Sequence, residues 1–266
     1  MLLTFEPHPL RVVNPGAAPP LLCVGDEKSS ALAALGLDEV AVVPFTPELA
    51  ALDADRFVDE VLVGRFGLRD LFIGHDHGFG RGRSGDAVTL ARLGGQRGFD
   101  VHVVPPVDGR DGKPVSSTGI RRALAGGNLA LAADGLGRPY WVSGVVVHGD
   151  GRGASLGYRT VNIGSPPSEK VLPPDGVYAV RVDTPAGRFG GMMNLGGRPT
   201  FGDDRRTVEA HLFDADQDWY GHPVRIDILR KLRDIRKFDG REGLMRQLRL
   251  DEETARLAVA RWPAGL

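Results

Sequence analysis

The stretch TVEAHLFDADQDWYG, residues 207–221, joins an apolar, strand-like run to an acidic turn. In a β-strand, alternate side chains point to opposite faces. One face therefore enters a core and consists of Val208, Ala210 and Leu212. The other face carries Thr207, Glu209, His211 and Phe213. Glu209 is then placed where a carboxylate could accept a proton from a bound hydroxyl group. The alternative is a surface glutamate paired with Arg205 or Arg206.

The residues on both sides of this stretch have the pattern of an antiparallel β-structure. From about residue 135, short alternating runs such as GVYAVRV, 176–182, and HPVRIDILRKL, 222–232, are separated by turns that contain Gly or Pro. DTPAGR, 183–188, is typical of a hairpin connection. These features predict a small antiparallel barrel or sandwich, followed by a C-terminal helix.

The first half of the chain alternates strands with helices, which is typical of βαβ units and a parallel sheet. The predicted strands are LLTFEP, DEVAVVPF, RDLFIG and FDVHVVPP. Residues 47–67 are predicted to form one amphipathic helix, and residues 116–137 are predicted to be helical as well. The change of pattern places a domain boundary near 134–139, so we expect domains at 1–136 and 137–266.

Composition excludes several classes of protein. The 266 residues contain 33 Lys plus Arg and 34 Asp plus Glu, a net charge of −1 that gives no reason to expect a nucleic-acid or membrane partner. The single cysteine, Cys23, has no internal disulfide partner. No apolar run approaches the roughly 20 residues of a membrane helix, and the N-terminus does not resemble a signal peptide. We expect a cytoplasmic protein; the sequence predicts no oligomeric state.

Residues 146–164, VVHGDGRGASLGYRTVNIG, could hold phosphate groups. The glycines allow close backbone approach, and Arg152 would add charge-assisted hydrogen bonds. Thr160 and Asn162, at i and i+2, offer neutral oxygen atoms of the kind that Mg²⁺ accepts when phosphates complete its shell. The alternatives are a plain glycine-rich turn and two polar residues on a solvated sheet face.

Two further motifs occur in the first half. In KPVSSTGIRRAL, 113–124, hydroxyl groups stand where a helix begins, which fits either ordinary capping or an anion site. In IGHDHGFGRGRSGD, 73–86, the adjacent residues His75, Asp76 and His77 diverge in direction. A shared metal is therefore disfavoured, and a ligand loop after a strand is the better interpretation.

In this order, the motifs resemble those of one family. LLTFEPHP, DRFVDEVL, IGHDHGFGRGRSGD, VSSTGIRRAL, VVHGDGRGASLGYRTVNIG, LPPDGVYAVRV, NLGGRPTF, TVEAHLFDADQDWYG and IRKFDG are similar to successive motifs of the bacterial bifunctional riboflavin kinase/FMN adenylyltransferases. The resemblance covers essentially the whole chain. It implies a Rossmann-like adenylyltransferase domain followed by a β-barrel riboflavin kinase domain, with ATP, riboflavin and FMN as ligands and Mg²⁺ as cofactor.

The resemblance also implies roles for particular residues. Glu209 matches the catalytic carboxylate, and Thr160 and Asn162 match the positions for Mg²⁺. The implied ATP-binding residues are Gly149, Arg152, Gly153, Gly157 and Thr160. The implied residues of the adenylyltransferase site are Ser116, Ser117, Thr118, Arg121, Asp76 and Phe79. Arg159 stands where the family usually has proline.

One part of the family pattern has no counterpart in the 266 residues. Family members carry a further strand and helix with a His-x-Gly-His motif that holds ATP phosphates. Without it, we expect a shortened first domain, exposed strand edges and an incomplete adenylyltransferase site. The sequence thus predicts riboflavin phosphorylation, with adenylyl transfer impaired. A flavin-binding sensor or carrier without catalysis is the alternative from another class.

Overall fold

The computed structural model describes residues 1–149, 153, 156–198 and 203–262, without the side chains of residues 83, 198 and 203–205. The chain forms two compact units. The first comprises Met1–Pro19 and Ser29–Asp108, and the second comprises Pro20–Lys28 and Gly109–Leu266. No helix within these described ranges is long and apolar enough to cross a membrane.

The first unit alternates strands and helices, as the sequence predicts. Its strands are β1 (Leu2–Glu6), β2 (Val40–Pro44), β3 (Asp70–Gly74) and β4 (Asp100–Val104). Its helices are α1 (Pro9–Val13), α2 (Asp26–Ala33, shared with the second unit), α3 (Pro47–Ala51), α4 (Ala54–Arg56, continuing as a π-helix over Phe57–Val63) and α5 (Ala87–Arg97). Single 3₁₀ turns lie at Pro15–Ala17 and Arg81–Arg83.

The strands of the first unit form two separate parallel pairs, β1–β2 and β3–β4. Side chains from both pairs pack into one core with the π-helix and α5, since Leu3 and Phe5 join the cluster that contains Ile73, Leu90 and Phe99. The predicted parallel pairing is therefore present, but β1 and β3 each have one strand neighbour within the described residues. Each of these strands presents one open edge.

The single helix predicted over residues 47–67 is wrong, because the chain breaks at Leu52 and Asp53. Asp53 is extended, with a ψ of 178°, and its carboxylate accepts a hydrogen bond of 2.9 Å from the Arg56 amide. An aspartate in this position caps a new helix. The apolar periodicity continues across the break because both pieces turn the same face to the core.

The second unit contains a six-stranded antiparallel sheet, two preceding helices and one following helix. The helices are α6 (Ser117–Ala125), α7 (Leu129–Leu136) and α8 (Arg241–Ala260). The strands are β5 (Tyr140–Val145), β6 (Val161–Asn162), β7 (Gly176–Thr184), β8 (Gly187–Arg198), β9 (Asp203–Leu212) and β10 (Pro223–Arg233), in the order β5-β10-β7-β8-β9-β6. The curled sheet and C-terminal helix confirm the predicted fold class.

The two faces of this sheet have different partners. Val208, Ala210 and Leu212 lie in the main core with side chains of α6 and α7, as their alternation predicts. On the opposite face, Phe213 packs with Ala255 of α8. The alternation therefore sets Glu209 outside the apolar interior of the barrel.

Residues 20–28 pack against the sheet of the second unit through a buried ion pair. The Lys170 ammonium lies 2.5 Å from the Glu27 carboxylate, and the side chains are 1% and 2% exposed. Glu27 also accepts hydrogen bonds from the Ser143 amide and the Val24 amide. Burial lowers the pKa of Lys170, and the charge of Glu27 opposes this shift. The pair fastens this segment to the barrel.

The open edges predict a pattern of amide hydrogen exchange. Leu2 donates to Glu39 in the β1–β2 pairing, so the Leu3 amide faces away from β2. Asp100 donates to the carbonyl of Arg69, so the Phe72 amide faces away from β4 by the same alternation. We expect Leu3 and Phe72 to exchange about 100-fold faster than their bonded neighbours Thr4 and Ile73, measured by NMR. Equal protection would show that a further strand occupies these edges.

The buried ion pair predicts a stability change. Lys170→Met leaves the Glu27 carboxylate buried without its cation, which should destabilise the second unit by about 3–5 kcal/mol in urea unfolding. Lys113→Met, at an exposed lysine, is the control and should change stability by less than about 0.5 kcal/mol. A double variant, Glu27→Gln with Lys170→Met, should recover part of the loss. Equal stability of Lys170→Met and the wild type would contradict this role for the pair.

Candidate functional site

A row of polar residues crosses three neighbouring strands of the second unit. Glu209 of β9 is directly opposite Asn162 of β6 on one side and Asn194 of β8 on the other. Directly opposite residues of antiparallel strands share a face, with Cβ atoms about 4.5–5.5 Å apart. The structure therefore brings Glu209 and Asn162 together, as their predicted roles require. Asn194 was not singled out from the sequence, although NLGGRPTF contains it.

Glu209 is half-buried, and the predicted alternative of pairing with Arg206 does not fit the strand alternation. Arg206 lies on the opposite face and binds Asp175, with 2.7 Å between Nε and Oδ1. The side chain of Arg205, the other candidate partner, lies outside the described residues. Glu209 itself has an interaction partner.

Asn162 is held in one orientation although it lies in a strand of two residues. It is 3% exposed, and its Oδ1 accepts a 2.8 Å hydrogen bond from the Gly164 amide. Its backbone carbonyl accepts a 2.7 Å bond from the Val147 amide. Because an amide oxygen has two lone pairs, Oδ1 can accept one further contact. The side-chain oxygen is thus fixed in place and still able to bind a ligand.

The glycine-rich loop approaches Asn162 and Thr160 closely. A Cβ atom at Gly149 would lie 2.9 Å from the Asn162 Nδ2, and one at Gly153 would lie 2.2 Å from the Tyr158 carbonyl oxygen. Gly157 has a φ of +80°, which a side chain would make unfavourable. Close contacts therefore favour glycine at positions 149 and 153, and the backbone conformation favours it at position 157. The predicted Arg152 lies outside the described residues.

A cavity of about 280 Å³, here named the β6 pocket, adjoins this loop. It is lined by Val146, Gly149, Arg159, Thr160, Val161, Leu212, Ala215, Gln217, Asp218, Trp219 and Tyr220. The Tyr220 ring stacks on His148, with centroids 3.9 Å apart. Glu209 is not among the lining residues because it points to the other face of the sheet. The pocket and the Glu209 carboxylate therefore do not share a lining surface. Both adjoin β6: Val161 of this strand lines the pocket, as does the preceding Thr160, and Asn162 is paired with Glu209.

The predicted adenylyltransferase residues Ser116, Ser117, Thr118 and Arg121 lie at the start of α6, in the second unit. The Ser116 hydroxyl accepts a 3.1 Å bond from the Gly119 amide and so caps the helix. Ser116 and Thr118 also line a cavity of about 370 Å³ between α6 and α7. Arg121 donates from Nε to the Pro20 carbonyl at 2.6 Å, and burial lowers its pKa. Its guanidinium holds the segment 20–28.

The remaining predicted residues, Asp76 and Phe79, lie in the first unit. Phe79 forms a small turn in which its backbone and that of Gly85 exchange hydrogen bonds. Its ring packs on Phe57, with centroids 4.9 Å apart, and joins the core of that unit. In the described part of the chain, no group of three or more His, Cys, Asp or Glu side chains could hold a metal ion.

Comparisons with known proteins assign both halves of the chain. Residues 136–259 match the riboflavin kinase family model, and residues 1–119 match the FAD synthetase model. The bifunctional riboflavin kinase/FMN adenylyltransferase of Escherichia coli K12 is 38% identical over 260 residues, which is 96% of this chain and 81% of that protein. The enzyme of the same name from Bacillus subtilis 168 is 33% identical, over 96% and 80% of the two chains.

A solved structure has the same fold. It is named a macrolide-efflux protein from Streptococcus pneumoniae, and it matches 98% of this chain and 83% of its own with a TM-score of 0.84 and 31% identity. The comparisons do not support the alternative of a flavin-binding protein without catalysis. The protein is a transferase of flavin cofactor biosynthesis with ATP as substrate, and it belongs to the family of bifunctional riboflavin kinases/FMN adenylyltransferases.

Proposed function

We propose that residues 137–266 transfer the γ-phosphoryl group of ATP to the 5′-hydroxyl of riboflavin. The observation that carries this assignment is the register that sets Glu209 opposite Asn162, next to the glycine-rich loop and Thr160. A carboxylate, two neutral oxygen ligands and a loop of close backbone approach are the groups that phosphoryl transfer needs. Residues 1–136 form the adenylyltransferase domain in this proposal.

The residues present fit a magnesium ion that is carried mainly by the nucleotide. Thr160 and Asn162 offer a hydroxyl and an amide oxygen, which are hard, neutral ligands. Mg²⁺ usually keeps few protein ligands and completes its shell with phosphate oxygens and water, so two ligands are sufficient. When bound there, the ion would neutralise phosphate charge.

Glu209 acts on the alcohol in this proposal. Its carboxylate orients the 5′-hydroxyl and accepts its proton while the oxygen forms a bond to the γ-phosphorus. The bond from that phosphorus to the β–γ bridging oxygen breaks, and ADP leaves. Because the transition state is loose, most of the acceleration comes from positioning and charge neutralisation. The proton acceptor contributes roughly 10²–10⁴-fold.

The nucleotide occupies the β6 pocket in this proposal. Gly149 and Thr160 line the pocket on the side of the loop, where the phosphates would lie, and Trp219 and Tyr220 provide aromatic surface for the base. A side chain at Gly149 or Gly153 would displace Asn162 or Tyr158, and one at Gly157 would strain the backbone. Without side chains at these positions, the backbone can approach phosphate closely.

Glu209→Gln tests the proton acceptor. The amide keeps the shape of the side chain but accepts a proton poorly, so kcat for FMN formation should fall by roughly 10²–10⁴-fold. The Kd for riboflavin, measured by flavin fluorescence, should change by less than about threefold because binding does not require proton transfer. Asp175→Asn, at the exposed partner of Arg206, is the control and should keep kcat. Near-normal turnover of Glu209→Gln would remove Glu209 from this role.

Product analysis tests which of the two activities, FMN formation and FAD formation, residues 1–266 have. We propose that residues 1–266 with riboflavin, ATP and Mg²⁺ yield FMN, and that FAD forms slowly or not at all. Arg121, one of the residues implied in adenylyl transfer, is engaged by the Pro20 carbonyl, and no His-x-Gly-His motif is present in these residues. Chromatography of the flavins gives the answer. FAD accumulating as fast as FMN would contradict the proposal for adenylyl transfer, and absence of FMN would contradict the kinase assignment.

A further inference from the structure

We propose that His211 is a positioning residue for phosphoryl transfer: it fastens the backbone immediately before Thr160 to the strand that carries Glu209. The inference rests on the proposed function, since it assigns a role toward Thr160 as a ligand. His211 lies on the same face of β9 as Glu209, two residues further along.

Among the described residues, the segment that His211 holds, residues 158–160, has no strand partner. The β6–β9 ladder pairs Asn162 with Glu209 and Val161 with Ala210, and it ends there. The next pair in the same register would be Thr160 and His211. Thr160 is exposed and lies outside the strand. Without another contact, the position of its hydroxyl would depend on a loop that contains several glycines.

A side-chain hydrogen bond replaces the missing ladder contact. The His211 Nδ1 lies 2.7 Å from the carbonyl oxygen of Arg159, the residue before Thr160. Because a carbonyl oxygen only accepts, Nδ1 must carry the hydrogen and donate it. This bond fixes the peptide group that leads directly into Thr160.

The imidazole ring is itself held by packing. The ring of Tyr158 meets it edge-on, with centroids 4.9 Å apart, and the ring of Phe213 also meets it edge-on, with centroids 5.9 Å apart. The Tyr158 amide donates to the Gly153 carbonyl at 2.9 Å, which ties the same segment to the glycine-rich loop. Residues 158–160 are therefore held from both sides, and His211 provides the link to the sheet.

The consequence is a fixed relation between two functional groups on different strands. Glu209 is placed by the β8–β9–β6 ladder, and the Thr160 hydroxyl is placed by His211. Groups that orient a metal ligand affect metal binding by about 10–100-fold when removed. Loss of the Nδ1 donor should therefore weaken the magnesium-dependent part of nucleotide binding and leave flavin binding unchanged.

The test compares variants that differ in the position of the donor. His211→Asn places an amide nitrogen near the position of Nδ1, His211→Gln places it one bond further out, and His211→Leu removes it. Calorimetry on the full chain measures the Kd of ADP with Mg²⁺ and with EDTA. We expect the tightening by Mg²⁺ to fall about tenfold in the Gln and Leu variants and less than about threefold in the Asn variant. The Kd of ADP in EDTA and the Kd of riboflavin should stay within about twofold.

Several outcomes would overturn the role of His211. Equal Mg²⁺ effects in the Asn and Gln variants would do so even if the Leu variant does not fold, since both polar variants differ only in donor position. A nitrogen NMR spectrum that shows the hydrogen on Nε2 of the neutral ring would remove the hydrogen bond. Thr160→Ala distinguishes a failure of the proposed metal role of Thr160 from a failure of the role of His211. If it leaves the Mg²⁺ effect unchanged, the proposed metal role of Thr160 fails; if it lowers the effect while the Gln and Leu variants do not, only the role of His211 fails.

Discussion

The candidate kinase site depends on a ladder of two residue pairs between β6 and β9. This ladder sets Asn162 opposite Glu209, and it is one of the contacts that join the glycine-rich loop to the sheet. The Asn162 side chain extends the junction, because its Oδ1 binds the Gly164 amide while its Nδ2 lies against Gly149. Because β9 is held in place by β8, a shift of β6 by one residue would turn Asn162 toward the apolar interior, where an unpaired amide is costly. The same contact therefore sets both the strand register and the position of Asn162 relative to Glu209.

The barrel could be predicted from the sequence because each strand has one buried face. Val208, Ala210 and Leu212 alternate with polar residues, and a period of two residues has only one structural interpretation over that length. The same alternation placed Glu209 correctly. Asn194 could have been found by the same reasoning, but only if the β8–β9 register were known. Register arises from contacts between strands distant in sequence, which a local pattern does not contain.

Other features depend on long-range contacts that local patterns do not reveal. Residues 20–28 contain no local pattern that indicates their partner, yet Glu27 is buried against Lys170, which lies 143 positions away in the chain. Asp53 reads as a polar position on a helix until its carboxylate is seen to cap the next turn. The parallel strands of the first unit were predicted, but their separation into two pairs depends on which edges meet. In each case the local residue type is compatible with several structures, and tertiary contacts select one.

The two proposed oxygen ligands differ in how firmly they are held, and this difference suits the reaction. Asn162 is almost fully buried and bonded, so its oxygen is organised before any ligand arrives. Thr160 is exposed and lies at the end of the glycine-rich loop, on the side where the nucleotide enters and ADP leaves in our proposal. A site that was rigid on both sides would obstruct this exchange, and one that was mobile on both sides would lose the alignment needed for transfer. The hydrogen bond from His211 to the Arg159 carbonyl holds the backbone next to Thr160 to β9, and in our proposal the Thr160 hydroxyl thereby keeps its place relative to Glu209.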